Sequence, residues 1–444
     1  MQAQSKKKKL RLSPYMIIVL SFLGVIVVGT LLLLIPAATS NNTSLSLVDA
    51  FFLSTSSVTL TGFTPVSDLG TTLSTYGKII VASLIQIGGI SIISITVFIM
   101  ILLDVKIGLN NRVLVKESMN QNSLSGMVRL IKIIIITSFA VELAGTIVNL
   151  IVFIPHYDSI GKAIGVSVFH SISAFNNAGT DILGLSNQLV LFQDNVLLNI
   201  NTILLIILGG LGFVVIYDVF TKRSFRKLSL HSKIVLKMTL ILIVFGTLSL
   251  KLAQATTEHN ITWLQALFHS VSARTAGFNT IDTLHFSSIS LLILMMLMFI
   301  GAGSSSSAGG IKVTTAYTLF KTFQGYVNGK PAITYGRKIS EQTKTKAFVL
   351  LFIAIAIILI LTIFLMTLEA FDLERALFLS VSTFSTAGLS LNLTQSLQIA
   401  SKVMLMIVMF IGRIGVFTIL YIWKSNTNRE SSHVRYVEEK LMIG

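Results

Sequence analysis

Cysteine is absent from the chain, so no disulfide framework and no thiolate metal site can be written into it. Charge is scarce. Only 12% of the 444 residues are Asp, Glu, Lys or Arg, about half of the roughly 25% found in soluble domains. Such a composition matches lipid as its solvent. The apparatus of enzymes is missing too: no nucleophile–base set, no His-rich metal spacing, no Walker-type stretch and no Gly-rich phosphate loop after a strand. An enzyme embedded in a membrane is disfavoured, and nucleotide control would have to come from a separate soluble protein.

What the chain has is apolar length. It is 53% apolar, with a mean hydropathy of +0.83. A spanning helix needs about 20 apolar residues at about 1.5 Å each. Eight segments qualify: 14–36, 78–103, 130–154, 196–220, 233–253, 289–318, 346–368 and 401–423. The first run, Tyr15 to Ile35, has no convincing cleavage site after it and reads as a span, not a signal peptide.

Charge orients these spans. Lys6 to Lys9 and Arg11 precede the first, and Lys106, Arg112, Lys116, Arg129 and Lys132 follow the second. Lys222, Arg223, Arg226, Lys227 and Lys233 follow the fourth, and Lys321, Lys330, Arg337, Lys338, Lys344 and Lys346 the sixth. Lys424, Arg429, Arg435 and Lys440 close the chain. Every second connection is basic, which places these connections and both termini in the cytoplasm. The net charge of +16 is then mostly topology, with no call for nucleic acid. The opposite connections hold Asp49, Asp68, Asp158, Asp181, Asp194, Glu258, Asp282, Glu369, Asp372 and Glu374, a face expected to concentrate cations.

One phrase recurs in all four outer connections: "FLSTSSVTLTGF" from Phe52, "FHSISAFNNAGT" from Phe169, "FHSVSARTAGFN" from Phe268 and "FLSVSTFSTAGL" from Phe378. The flanking helices echo one another. Gly29-Thr30, Gly145-Thr146 and Gly246-Thr247 recur in the first helix of a unit; "IQIGGIS", "IILGGLG", "MFIGAGS" and "MFIGRIG" recur in the second. Gly277 and Gly301 lie 24 residues apart, as do Gly388 and Gly412. The expected architecture is an all-α integral membrane protein with eight transmembrane helices. Its four helix–pore-loop–helix repeats stand around a pseudo-fourfold pore in one chain. The implied division is a basic N-terminus (1–13), repeats at 14–104, 130–220, 233–320 and 346–423, cytoplasmic loops at 105–129, 221–232 and 321–345, and a tail at 424–444.

The phrase is too short to span. It can dip into the membrane and return where protein or water surrounds its non-helical half. Its terminal Gly permits φ > 0, which lets carbonyls turn toward an axis. Four such strands could replace an ion's hydration shell. The candidate filter is Thr59-Leu60-Thr61-Gly62-Phe63, Asn176-Asn177-Ala178-Gly179-Thr180, Arg274-Thr275-Ala276-Gly277-Phe278 and Ser385-Thr386-Ala387-Gly388-Leu389. With one Gly per copy, a shorter and less multi-sited filter than a channel's is expected. An ordinary outer loop with a Gly turn would explain one copy, but not four in equivalent slots.

These phrases, with "LIQIGG", "SAFNNAG", "RTAGFN", "FIGAGSSSSAGGIKVTT" and "MFIGRIG", resemble the Trk/Ktr/HKT superfamily of potassium transporters, most nearly its Ktr membrane subunits, over nearly the whole chain. The resemblance implies K+ as the transported ion, since all four filter glycines stand where a Ser in the first repeat goes with Na+. It implies Na+ as a candidate coupling ion and no covalent cofactor. It also implies a homodimer in the plasma membrane above a cytoplasmic RCK (KtrA-type) nucleotide-binding ring. The competing functions are Na+ or Na+/K+ transport within the same superfamily, or a secondary carrier of another solute. The latter predicts mid-membrane acids, of which Glu142 alone qualifies.

Within the sixth span, "GAGSSSSAGGIK" places four glycines and four serines where a helix should run. Each Gly costs about 1 kcal/mol against Ala, so this stretch is expected to unwind. The resemblance makes Gly301, Gly303, Ser304, Ser305, Ser306, Ser307, Gly309, Gly310 and Lys312 a gating loop beneath the filter. The alternative is close helix packing through small residues. Arg413, a charge in mid-span, is expected to face the pore and raise a barrier to cations, or else to pair with a carbonyl or acid. Arg274 is expected to brace its loop, His170 and His269 to pack or cap, and Asp104 and Asp218 to pair with nearby basic clusters.

Overall fold

The computed structural model describes residues 13–40, 44–103, 105, 108–118, 127–183, 188–255, 257–304 and 306–427. The expectations placed on Lys6 to Lys9, Arg11, Asp104, Lys106, Ser305, Arg429, Arg435 and Lys440 lie outside these residues.

Four times the chain runs long helix, short helix, extended loop, second helix. The first unit has α1 (Pro14–Leu33), α2 (Leu47–Thr59), a single turn α3 (Leu69–Thr72), α4 (Thr75–Ile90) and α5 (Ile92–Leu102). After a connecting helix α6 (Leu109–Ser118) come α7 (Met127–Phe153), α8 (Ile160–Phe175), α9 (Val196–Leu211) and α10 (Phe213–Lys222). The third has α11 (Leu230–Gln254), α12 (Trp263–Ser272), α13 (Ser288–Phe299) and α14 (Val313–Val327). A small hairpin, β1 (Ile333–Thr334) against β2 (Arg337–Lys338), precedes α15 (Glu341–Glu369), α16 (Leu373–Ser385), α17 (Ile399–Ile414) and α18 (Val416–Thr427).

The long helices α1, α7, α11 and α15 bury only 28–33% of their most apolar stretches inside the protein. Leu143, Leu240 and Phe352 point outward and are 63%, 64% and 75% exposed. A helix apolar on its outer face is at home only where lipid covers it. The short helices are the opposite: α2, α8, α12 and α16 mix Ser, Thr or His with apolar residues and are buried along their C-terminal halves. Each begins on a side-chain cap, from Ser46, Ser159, Thr262 and Asp372. Thr262 completes a capping box with Gln265.

The second helices depart from the expected straight spans. α4 and α5 meet at 92°, α9 and α10 at 95°, and α17 and α18 at 90°. The hinge residues are Ser91, Gly212 and Gly415, with φ of 77°, 88° and 90°. That backbone ends the i→i−4 ladder outright, and only glycine adopts it without strain. Segments 78–103, 196–220 and 401–423 are therefore not continuous crossings; each turns at a right angle partway. The segment 289–318 is interrupted instead. α13 stops at Phe299, and the chain folds back on itself, with Gly301 N–H donating to Ile311 O (2.9 Å) and Val313 N–H to Ala302 O (3.2 Å), before α14 starts. Among the described residues four helices can cross a membrane alone, and the three bent pairs raise this to seven. The remaining expected span, 289–318, is interrupted between α13 and α14 and is not among these seven.

Candidate functional site

The same serine of each phrase ends its short helix in the same way. Ser56 O accepts from Thr61 N–H at 2.9 Å, Ser173 O from Ala178 at 2.8 Å, Ser272 O from Ala276 at 2.8 Å and Ser382 O from Ala387 at 2.9 Å. These bonds turn the chain sharply out of the helix. Leu60, Asn177 and Thr386 take left-handed backbone at φ 60°, 57° and 50°, and Gly62, Gly179, Gly277 and Gly388 stand at φ 86°, 67°, 76° and 89°. In two copies the hydroxyl of that serine also holds the far end of the loop: Ser173 Oγ donates to Thr180 O and Ser272 Oγ to Phe278 O, both at 2.6 Å.

The four loops close on one another. A methyl group on Gly62 would lie 2.2 Å from Ala178 O, one on Gly179 1.9 Å from Ala276 O, one on Gly277 2.4 Å from Ala387 O, and one on Gly388 2.3 Å from Thr61 O. Each glycine thus abuts the carbonyl before the glycine of the next copy, and the fourth returns to the first. Any side chain at these positions would push a carbonyl out of the ring. The flanking echoes have the same physical meaning. A Cβ on Gly88, Gly209 or Gly412 would strike the carbonyl of Val58, Phe175 or Phe384, at the C-terminal ends of the short helices. One on Gly29, Gly145 or Gly246 would strike the hydroxyl of Ser54, Ser171 or Ser270. The recurring glycines set how closely the outer helices clasp the short ones.

Beneath this ring lies the irregular stretch between α13 and α14. A Cβ on Gly309 would sit 2.3 Å from Thr386 Oγ1, and one on Gly310 3.0 Å from Ser385 Cα. Gly301 approaches Thr275. The loop therefore touches the third and fourth copies. Ser304 Oγ and Thr314 Oγ1 are 2.8 Å apart, and Ser306 Oγ donates to Gly303 O at 2.7 Å. Lys312 Nζ donates to the carbonyls of Ala308 and Gly309. Arg413, from α17, donates to Ser307 O in the loop and to Gly88 O at the end of α4. A cavity of about 440 Å³ lies on the loop's other side, lined by Ser91, Ser304, Lys312, Arg413, Gly415 and Phe417 among others. Tyr15 and Tyr421 stack at its edge with centroids 5.1 Å apart, and Tyr15 Oη donates to Glu117 at 3.0 Å.

Side chains named from sequence take structural parts around the ring. Phe278 is wholly buried and packs against His170, which also meets Thr202 Oγ1 at 2.9 Å. His269 bonds Gln265 O at 3.0 Å and packs against Phe286. Arg274 is 5% exposed, with Thr239 Oγ1 at 3.5 Å. Asp218 pairs with Lys222 at 2.7 Å and accepts from Ser229 N–H at 2.8 Å.

The outer acids are less free than their sequence positions suggest. Asp68, Asp282 and Asp372 accept backbone N–H groups of turns and helix starts, and Glu369 accepts from Gln398 N–H. Asp49 pairs with Lys402 at 2.7 Å. Carboxylates so engaged build the outer turns as well as placing negative charge on that face. Sequence inspection missed Lys402 and saw Gln86 and Gly89 only as parts of a recurring phrase, because their partners lie in other repeats. Among the described residues no group of three His, Asp or Glu could hold a metal. The concentrated acceptors here are backbone carbonyls.

Residues 2–429 match the family model TrkH, described as a cation transport protein. The Ktr system potassium uptake protein B of Bacillus subtilis (strain 168) is 33% identical over 450 residues, covering 98% of both chains. The potassium/sodium uptake protein NtpJ of Enterococcus hirae is 32% identical over the full length of both. The fold matches the crystal structure of the potassium transporter TrkH from Vibrio parahaemolyticus with a TM-score of 0.72 at 20% identity, covering 95% of this chain and 87% of that one. A helical chain clothed in lipid-facing side chains, closed around four carbonyl-bearing loops and alike over its whole length to these proteins, is a multi-pass membrane member of the TrkH family of cation transport proteins.

Proposed function

We propose that the chain is the ion-translocating subunit of a Ktr-type potassium uptake system in the plasma membrane. The observation that carries this is the closed ring in which Thr61, Ala178, Ala276 and Ala387 each set a carbonyl against a neighbour's glycine. Such carbonyls can replace the hydration shell of K+, and the selectivity follows from their number and spacing. In this reading Thr59 to Gly62, Asn176 to Gly179, Thr275 to Phe278 and Ser385 to Gly388 are the filter, acting through backbone. The names of the relatives from B. subtilis and E. hirae support potassium as the ion.

The loop from Gly301 to Lys312 is the gate in this proposal, because it lies between the ring and the cavity. Arg413 acts as its latch: besides placing positive charge on the path, it holds Ser307 O and Gly88 O together. Opening would require these bonds to part. The name of the B. subtilis relative places that protein in a system. It supports a soluble partner here, which we take to be a nucleotide-binding RCK ring beneath a dimer of this subunit, with both termini cytoplasmic. The E. hirae relative, named for potassium and sodium, favours one second reading, in which Na+ is coupled or carried as well.

The test is K+-limited growth and Rb+ uptake in cells lacking their own K+ uptake, with a Ktr-type ring subunit co-expressed. Uptake that is lost in Gly277→Ser supports a carbonyl filter for K+. No uptake, with the protein in the membrane and the ring bound, sinks it. Uptake that requires Na+ selects the second reading.

A further inference from the structure

One junction of the fourfold ring breaks its own symmetry. Ser54 Oγ donates to Ile26 O at 2.8 Å, Ser171 Oγ to Glu142 O at 2.6 Å, and Ser270 Oγ to Ile243 O at 3.0 Å. These bonds identify Ile26, Glu142 and Ile243 as equivalent positions. Two are aliphatic; the second carries a carboxylate that is 5% exposed. Its partners depart from the pattern too. Gln86 Nε2 donates to both Glu142 oxygens at 2.9 and 3.1 Å, where Ile207 and Phe410 stand in the matching phrases of α9 and α17. Asn176 Nδ2 donates to Gln86 Oε1 at 2.8 Å and to Glu142 Oε1 at 3.2 Å. Its counterparts, Thr59, Arg274 and Ser385, make no such contact among the described residues. Gly89 leaves the room, since a methyl group there would lie 1.8 Å from Asn176 Oδ1.

We propose that Glu142 is a positioning residue for the second filter loop, locking Asn176 to Gln86 of the first unit and so fixing where the carbonyls beside Gly179 stand. Buried carboxylates are costly unless their lone pairs are satisfied, and here two amides from two different units satisfy them. A hydrogen-bonded triangle resists shear in a way that apolar contacts do not. The loop it holds is the one with Asn at both of its first two positions, and the Asn177 side-chain amide accepts from Thr275 Oγ1 of the third loop at 2.8 Å while its NH2 donates to Phe175 O and Ile206 O. The brace thus passes from the first unit through the second to the third. The ion-selectivity arm of the test rests on the potassium filter proposed above; the exchange arm does not.

The full-length chain in liposomes is compared with Glu142→Leu, Glu142→Gln and Gln86→Leu, with Leu143→Ala on the lipid face as control. The expected result is a fall of at least about tenfold in the Rb+ over Na+ uptake ratio for Glu142→Leu and Gln86→Leu, the scale of even one lost hydrogen bond to a charged group. Glu142→Gln, which still accepts an amide N–H, should recover most of it, and Leu143→Ala should match wild type. A merely structural role would lower abundance and leave the ratio alone. Hydrogen–deuterium exchange of residues 176–180 in K+-free detergent should quicken in Glu142→Leu and Gln86→Leu, while residues 385–389 keep the wild-type rate. Should Glu142→Leu fail to accumulate, Gln86→Leu carries both readouts. Unchanged exchange at 176–180 overturns the brace. An unchanged ratio alongside quickened exchange overturns its role in selectivity. If wild type moves no Rb+, the potassium reading fails while exchange still decides the brace.

Discussion

The α-carbon of Gly388 faces the carbonyl oxygen of Thr61, so that a methyl group on the glycine would stand 2.3 Å away. This contact joins the last copy of the repeated phrase to the first and closes the ring. Gly388 also holds φ at 89°, where a residue with a Cβ is strained by about 1–2 kcal/mol. Gly388→Ala should therefore reach the membrane yet lose Rb+ uptake by about tenfold or more, for one displaced carbonyl costs about 1.4 kcal/mol or more of barrier. Wild-type uptake in that variant would show that the ring tolerates a distorted quarter.

Lys402 and Asp49 make a second closure between the same two units, at 2.7 Å and with Ser46 Oγ donating to the other Asp49 oxygen. Lys402 is 8% exposed, so removing Asp49 strands a cation in poor solvent. Breaking buried pairs costs about 3–5 kcal/mol, and partial exposure of Asp49 trims this to roughly 1–3. Asp49→Ala should lower the thermal midpoint in detergent, and Asp49→Leu with Lys402→Met should regain part of the loss. Additive losses in the double variant would mean the two side chains act separately.

Removing Ser304 to Gly309, or replacing Arg413 by Gln, should raise Rb+ flux. The deletion removes Ser307, and Arg413→Gln removes the guanidinium that spans Ser307 O and Gly88 O, so each undoes the latch, and about tenfold is the scale set by a loss of 1.4 kcal/mol from the barrier. Flux at or below the wild-type rate would count against gating by this loop.

Asp181 gives a pH dependence. It lies two residues beyond Gly179, outside the spanning helices, and its Oδ2 is enclosed without a partner among the described residues. Burial pushes its carboxyl up to about 7, with the Leu183 N–H opposing the rise and Asp68 adding to it. The folded protein then keeps a proton that the unfolded chain loses at its ordinary value of about 3.9. The stability this group contributes is full below that value and is lost as pH rises to about 7. Ionisation adds negative charge at the approach to the ring, so the KM for Rb+ should fall severalfold between about pH 6 and about pH 8. Asp181→Asn should flatten that profile; an unchanged slope would assign it to another group.

Much of this was legible in the sequence because it repeats. Four copies of a serine-rich, glycine-ended phrase in equivalent slots implied four equivalent loops, and "GAGSSSSAGGIK" announced a broken helix through the propensity of its residues alone. The right-angle bends did not show. Hydropathy across Ser91, Gly212 and Gly415 is unbroken, and a single backbone torsion leaves no trace in a sliding window. Arg413 was readable as a misplaced charge, but its two carbonyl partners were not, since they come from α4 and the loop.

By itself the sequence determined the solvent, the number of loops and the place of the weakened helix, because composition, repetition and propensity are local properties. Only the tertiary structure decided which carbonyl meets which glycine, that Asp49 belongs to Lys402, and that Glu142 holds Asn176 through Gln86. These pairings join residues far apart along the chain. They form because buried charges and amides in a membrane must find partners wherever packing brings them close.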